Sequence, residues 1–225
     1  MQVTRISKHV KMLQLSGRDE WLQYRTSRIG GSDAAAVVGL NPYKSNIELW
    51  EEKKGLYKPE DISNKPYVRY GTEAEEHLRA LFQLDFPDYK VGYMPDNMFL
   101  NDRFPWAHAS LDGWIEDPDG RMGVWECKTT NILQSMAKEK WKDRIPDNYY
   151  CQILHYLMVT EFDFVILKAQ LKREFPGELP RIETRHYLFE RKDVQQDIDY
   201  LEDAERKFCE SLDKDKAPAL LLPEI

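Results

Sequence analysis

Cysteine is scarce in this chain of 225 residues: Cys127, Cys151 and Cys209 are an odd number with no CxxC spacing. That excludes a disulfide frame and a zinc ribbon, and fits a reducing compartment. Long apolar runs are also missing. No stretch approaches the roughly 20 residues that a membrane span needs. The cationic start, MQVTRISKHVKML, carries no apolar region long enough for a signal peptide. A cytosolic location with no membrane attachment is the expectation. Internal repeats and low-complexity linkers are absent as well. Nor is there an excess of positive charge: the formal net charge is −7, which read globally counts against a nucleic-acid binder. Read along the chain, it is uneven. Residues 1–28 hold six Lys/Arg against Asp19 and Glu20, whereas residues 190–225 hold eleven Asp/Glu against six Lys/Arg. A nuclease needs both a local basic surface and a cluster of carboxylates, so the global sum decides little.

Aromatics at 12% and hydrophobics at 42% describe an ordinary globular protein. The length suits one domain with a core of useful size. We expect a single domain over residues 1–225, with a core at about 16–190 and an amphipathic C-terminal helix at about 193–212.

Asp19–Arg25 suits a short helix. In the segment TSRIGGSDAAAVVGL, Ser32 reads as the N-cap of a helix over Asp33–Val38, closed by Gly39. Asn46–Lys54 reads as another helix, closed by Gly55. In GTEAEEHLRALFQL, Thr72 and Glu75 match a capping box before the apolar stripe Ala74, Leu78, Leu81 and Phe82. Ser110–Ile115 and Gly123–Lys128 read as strands around the turn EDPDGRM. An apolar helix over Asn148–Thr160 follows, then a second strand pair, Phe164–Leu171 and Ile182–Phe189. Val194, Ile198, Leu201, Phe208 and Leu212 share one face of the last helix. Helices around a small central sheet make an α/β or α+β domain.

The first hairpin brings chemistry together. With its turn near Asp119, antiparallel partners have numbers summing to about 238, as Asp112 and Glu126 do. Directly opposed residues share a face with β-carbons about 5 Å apart, and Lys128 shares the face of Glu126. Paired carboxylates repel unless a cation or proton relieves them. Hard oxygen donors with room for water and phosphate suit Mg²⁺, and a nearby lysine could orient water or neutralise phosphate. A solvated charged face is the simpler reading of this hairpin alone. Trp114, Val124 and Trp125 make its strands apolar and central, so carboxylates there need a reason.

These residues, with those around them, resemble a known family. SLDG, then ECK fourteen residues after its aspartate, then QILHY on the following helix are similar to the D…ExK…QxxxY pattern of PD-(D/E)XK nucleases. WLQYR, RIGGSDAAAVVG and YGTEAEEHLRALF, in that order upstream, resemble the YqaJ/lambda-exonuclease branch. The resemblance spans about Trp21–Tyr156 and implies a central mixed β-sheet flanked by helices. It implies metal binding by Asp112, Glu126 and the carbonyl of Cys127, with Glu75 as a second-metal ligand. Lys128 is the implied catalytic lysine, and Gln152 and Tyr156 the implied QxxxY pair. Arg25, Arg28 and Ser32 are the implied receivers of a DNA 5′-phosphate. A helix start at Ser32–Asp33 after Gly30-Gly31 would offer amides to phosphate, although Asp33 would compete for them.

Simpler roles stand beside these: a capping acid for Glu75, core packing for Gln152 and Tyr156, a surface pair with Asp19 or Glu20 for Arg25, a packed or exposed ring for His108. One departure is the segment after Lys128, which lacks an arginine that lambda exonuclease uses for the DNA end. Gln134, Lys138 or Lys140 are candidates to replace it. The implied activity is Mg²⁺-dependent exonuclease action on double-stranded DNA, 5′ to 3′, with Mn²⁺ as a substitute ion. Its 3′ tails would feed phage-type recombination by an annealing partner, and a ring-shaped trimer is implied. A PD-(D/E)XK endonuclease and a non-catalytic DNA-binding scaffold on the same fold are the alternatives.

Overall fold

The structure is a computed structural model that describes residues 2–131 and 141–221. Gln134, Lys138 and Lys140 lie outside the described residues. Strands β1 (Gln2–Arg5) and β2 (Val10–Gln14) form a hairpin that the sequence reading did not anticipate. Helix α1 (Arg18–Thr26), strand β3 (Ile29–Gly30), helices α2 (Gly31–Val37) and α3 (Asn46–Lys53) and the long α4 (Pro66–Asp85) follow. The middle contributes β4 (Lys90–Gly92), β5 (Asn97–Asn101), β6 (Ala107–His108), β7 (Gly113–Glu116) and β8 (Met122–Asn131). After α5 (Asp147–Thr160) come β9 (Phe164–Arg173), β10 (Arg181–Glu190) and α6 (Gln195–Asp213).

The central sheet has the order β10-β9-β8-β7-β4, parallel between β8 and β9 and antiparallel elsewhere. Parallel neighbours cannot be joined by a tight turn, and α5 lies in the connection from β8 to β9. β2 pairs with both β1 and β5 in a second, three-stranded sheet, and β3 pairs with β6 in parallel.

Alternation along the strands divides the core into two faces. Trp125 and Cys127 of β8 point to one face, with Leu78 and Phe82 of α4 and with Ile115, Phe164 and Ile166. Val124 points to the other, with Val165, Leu167 and Ala169 of β9 and with Ile153, Leu154 and Leu157 of α5. Every residue of α5 from Cys151 to Thr160 is buried, because α2 and α6 cover the flanks that the sheet leaves open. A helix apolar on all sides is an interior one.

Two helix starts differ from the sequence reading. α4 begins at Pro66, so Thr72 and Glu75 lie inside it and form no capping box. Proline at the first helical position sets the backbone angle without losing a bonded amide. α2 begins at Gly31, with Gly30 at its cap, so Ser32 is not the N-cap; the Asp33 carboxylate accepts the Gly30 amide at 3.2 Å. Among the described residues no helix is long and apolar enough to cross a membrane.

Candidate active site

The hairpin register is fixed by its turn. Asp117 Oδ1 accepts the amides of Asp119 and Arg121 at 3.0 and 2.8 Å, and its Oδ2 accepts Arg121 Nε at 2.8 Å. Gly120 takes φ +80°, a backbone angle that side chains disfavour. The ladder then pairs Gly113 with Trp125 and Trp114 with Val124, the register inferred from the sequence. Asp112 stands one step beyond the ladder, beside Glu126, and its Oδ2 accepts the Cys127 amide at 3.0 Å.

Glu126 is 1% exposed. Its Oε1 accepts Lys128 Nζ at 2.5 Å and Gln152 Nε2 at 3.0 Å, while Oε2 is buried with no hydrogen-bond partner. Gln152 Nε2 also reaches Tyr156 Oη at 2.7 Å. The i,i+4 spacing that put these two on one helical face therefore brings both to the hairpin. Lys128 Nζ lies 5.1 Å from the centre of the Tyr149 ring.

Burial, and then the charge of Asp112, push Glu126 up to about 8 in spite of Lys128. The same two causes push Glu75 up to about 7, against the pull of Lys128 and Arg79. Burial pulls Lys128 down, but the carboxylates of Glu126 and Asp112 outweigh it and hold the ammonium protonated well above its ordinary value. Burial also raises the Tyr156 hydroxyl and the Cys127 thiol. That thiol packs on the opposite face, so only the backbone of Cys127 is available to the hairpin site.

The residues fit a cation. Two acids strained as anions and one orphaned, buried carboxylate oxygen make a hard-oxygen site with unmet demand for positive charge. Among the described residues no group of three or more His, Cys, Asp or Glu side chains is arranged to hold a metal. A cation here would be held by Asp112, Glu126 and the Cys127 carbonyl, with water completing its shell, as suits Mg²⁺.

Arg79 was missed in the sequence, although it sits one turn after Glu75 on the same helix. Its Nη1 donates to the Asp112 carbonyl at 2.6 Å, which ties α4 to the head of β7. Gly30 and Gly31 are required by close approach. A β-carbon on Gly31 would stand 2.5 Å from Tyr156 Cε1, and one on Gly30 would stand 2.8 Å from His108 Nε2. His108 itself is packed: burial, and then His155, hold it down at about 3, so it stays neutral.

The basic segment forms a second cluster. Arg25 Nη2 donates to Ser32 Oγ at 2.8 Å, and both Arg25 and Arg18 lie over the Trp21 ring, at 5.0 and 4.6 Å. Trp21 Nε1 donates to Ser110 Oγ at 2.9 Å, two residues before Asp112. Glu20 takes the Ser16 amide, so it is not the partner of Arg25. Arg28 lies over Tyr24 and donates to Ser27 Oγ at 3.1 Å, apart from the Arg25–Ser32 pair. The Gly30 amide is taken by Asp33, the competitor for backbone amides that the sequence suggested.

A mixed five-stranded sheet with helices on both faces carries an ExK tripeptide on β8 and an aspartate just before the adjacent β7. The chain belongs to the YqaJ-like viral recombinase domain family, which it matches over residues 20–163. It is 32% identical over 143 residues to the uncharacterized protein YqaJ of Bacillus subtilis (strain 168), a match that covers 63% of this chain and 42% of that one. It is 29% identical over 158 residues to protein D345L of African swine fever virus (strain Badajoz 1971 Vero-adapted), covering 60% and 43%. The matched region thus spans less than half the length of either relative. In fold, it superposes on the alkaline exonuclease LHK-Exo from Laribacter hongkongensis with a TM-score of 0.62 at 16% identity, covering 88% of this chain and 94% of that one. A phage related exonuclease from Haemophilus somnus 129PT gives 0.50 at 16% identity, covering 84% and 96%.

Proposed function

We propose that this protein is a Mg²⁺-dependent deoxyribonuclease that hydrolyses double-stranded DNA from its 5′ ends and leaves 3′ single strands for annealing during recombination. The observation that carries the reading is the buried, half-satisfied Glu126 carboxylate between Lys128, Gln152 and Asp112. An acid kept there against burial and repulsion is costly for stability alone. A bound Mg²⁺ would polarise a phosphate oxygen and lower the pKa of water. Asp112, Glu126 and the Cys127 carbonyl would hold it, and Glu75 would be the acid for a second ion. Lys128 spends one N–H on Glu126 and has donors left to orient the attacking water against the phosphate. Gln152 fixes the carboxylate and Tyr156 fixes Gln152, so each acts through the next. Arg25 and Ser32 receive the terminal phosphate, and Arg28 contacts the DNA backbone beside them. Family membership and the exonuclease folds support this reading, while the 5′ polarity, the annealing partner and a trimeric ring rest on the family resemblance.

The test is digestion of a linear duplex labelled separately at each end, in Mg²⁺, Mn²⁺ or EDTA, beside a closed circular plasmid. Mg²⁺-dependent shortening from 5′ ends is expected, with the circle intact and activity lost in Asp112→Ala. Cutting of the circle would replace the reading with an endonuclease. No cleavage by folded protein in either metal would leave a DNA-binding scaffold.

A further inference from the structure

Lys53 is a buried cation that the hairpin chemistry does not use. The Lys53 side chain, at the end of α3, is 5% exposed, and Nζ sits 2.8 Å from Oδ2 of Asp33, itself 4% exposed. The same Nζ donates to the carbonyls of Arg25 at 3.1 Å and Arg28 at 2.6 Å. An ammonium has three donors, and these three acceptors use them all. Lys53 therefore has nothing left to offer a ligand directly.

What it grips is the frame of the basic cluster. The Arg25 and Arg28 carbonyls belong to the end of α1 and the turn after it, while Asp33 holds the Gly30 amide at the start of α2. Arg25 and Ser32, which meet at 2.8 Å, stand on either side of this clamp. Asp33 is also the acid nearest in sequence to Ser32, and its charge opposes any anion there. Burial raises Asp33, but Lys53, and then Arg25, hold its carboxyl below the usual range, so it remains charged and needs cancelling.

We infer that Lys53 is a positioning residue for recognition of the DNA terminal phosphate. It fixes the spacing of Arg25 and Ser32, and it cancels the Asp33 charge beneath them. The inference rests on the proposed phosphate role of Arg25 and Ser32. Its consequence is discrimination: Lys53 favours a 5′-phosphoryl end over a 5′-hydroxyl end without touching either.

The experiment compares kcat and KM on duplexes with 5′-phosphoryl or 5′-hydroxyl ends for wild type, Lys53→Met and Lys53→Met/Asp33→Asn. In Lys53→Met, KM on phosphoryl ends should rise about tenfold or more, since a displacement near 1 Å suffices for such losses. Rates on hydroxyl ends should fall much less, by the share that the Arg28 backbone contact supplies. The double variant removes the uncancelled charge, keeps an acceptor for Gly30 and leaves no lone buried ion, so it folds even where the single variant does not. It should recover part of the preference but not all. Equal losses on both ends, or a preference left intact in whichever variant folds, overturn the inference. A wild type that cleaves both ends equally overturns the phosphate reading of Arg25 and Ser32 itself, before any variant is made.

Discussion

Glu126 gives the most direct test of the hairpin electrostatics. In the folded protein its pKa is pushed from 4.5 up to about 8. Between these values the folded state keeps a proton that the unfolded chain releases. The stability associated with that proton is complete below the unfolded value and is lost as pH rises through the folded one. At about 1.36 kcal/mol per unit the whole shift corresponds to about 5 kcal/mol. Local relaxation around the buried acid reduces this, so about 2–4 kcal/mol is the expected span. Glu126→Gln removes the titration with little change of shape. Urea unfolding of both proteins in EDTA, from pH about 5 to about 8.5, gives the difference in stability at each pH. Wild type should lose about 2–4 kcal/mol relative to the variant across that range, because the subtraction removes the titrations of groups away from the site. Added Mg²⁺ at about ten times its dissociation constant should return about 1.4 kcal/mol at the alkaline end, in the wild type alone. A difference that stays flat with pH would falsify the burial argument for Glu126.

Three further outcomes follow from contacts already described. Gln152→Leu strips Glu126 Oε1 of one donor and should lower kcat about tenfold with KM little changed; unchanged turnover would show that the glutamine only packs. Gly31→Ala forces a methyl group against Tyr156 and should cost about 1–3 kcal/mol by thermal unfolding, together with a fall in nuclease rate. A neutral result there would mean that α2 and α5 separate more easily than their packing implies. Phe82→Ala empties the face beneath Trp125, where Phe82 is fully buried and its ring lies 6.1 Å from the indole. A loss of about 3–5 kcal/mol in urea is expected, and a loss under about 1 kcal/mol would contradict the packing of α4 on the sheet.

The hairpin was legible in the sequence because its determinants are local. The turn residues from Asp117 to Gly120 and the two-residue alternation around Trp114 and Trp125 fix the register without distant partners. The Gln152–Tyr156 spacing was legible for the same reason. Helix starts were not. Thr72 carries a convincing capping pattern, yet α4 begins six residues earlier, where Pro66 supplies the first turn and packing against the sheet sustains the helix. Ser32 lost the cap to Gly30 because Asp33 reaches back to that amide. The β1–β2 hairpin went unseen because β2 is held by β5, far along the chain, and β1 rests on β2 alone. Lys53 gave no signal at all: its partners are two backbone carbonyls and an acid twenty residues away, and side-chain patterns do not show carbonyls.

The order of the central sheet bears on when the hairpin site can first be completed. Asp112, Glu126 and Lys128 need only a hairpin, but β8 is completed by β9, which pairs with it in parallel only after α5 has crossed over. Gln152 arrives with that crossover and supplies its donor to Glu126. A chain emerging from the ribosome and stopped short of Arg173 therefore lacks a formed constellation. Long-range parallel pairing is slow to form, so the ring of contacts around Glu126 closes late in folding.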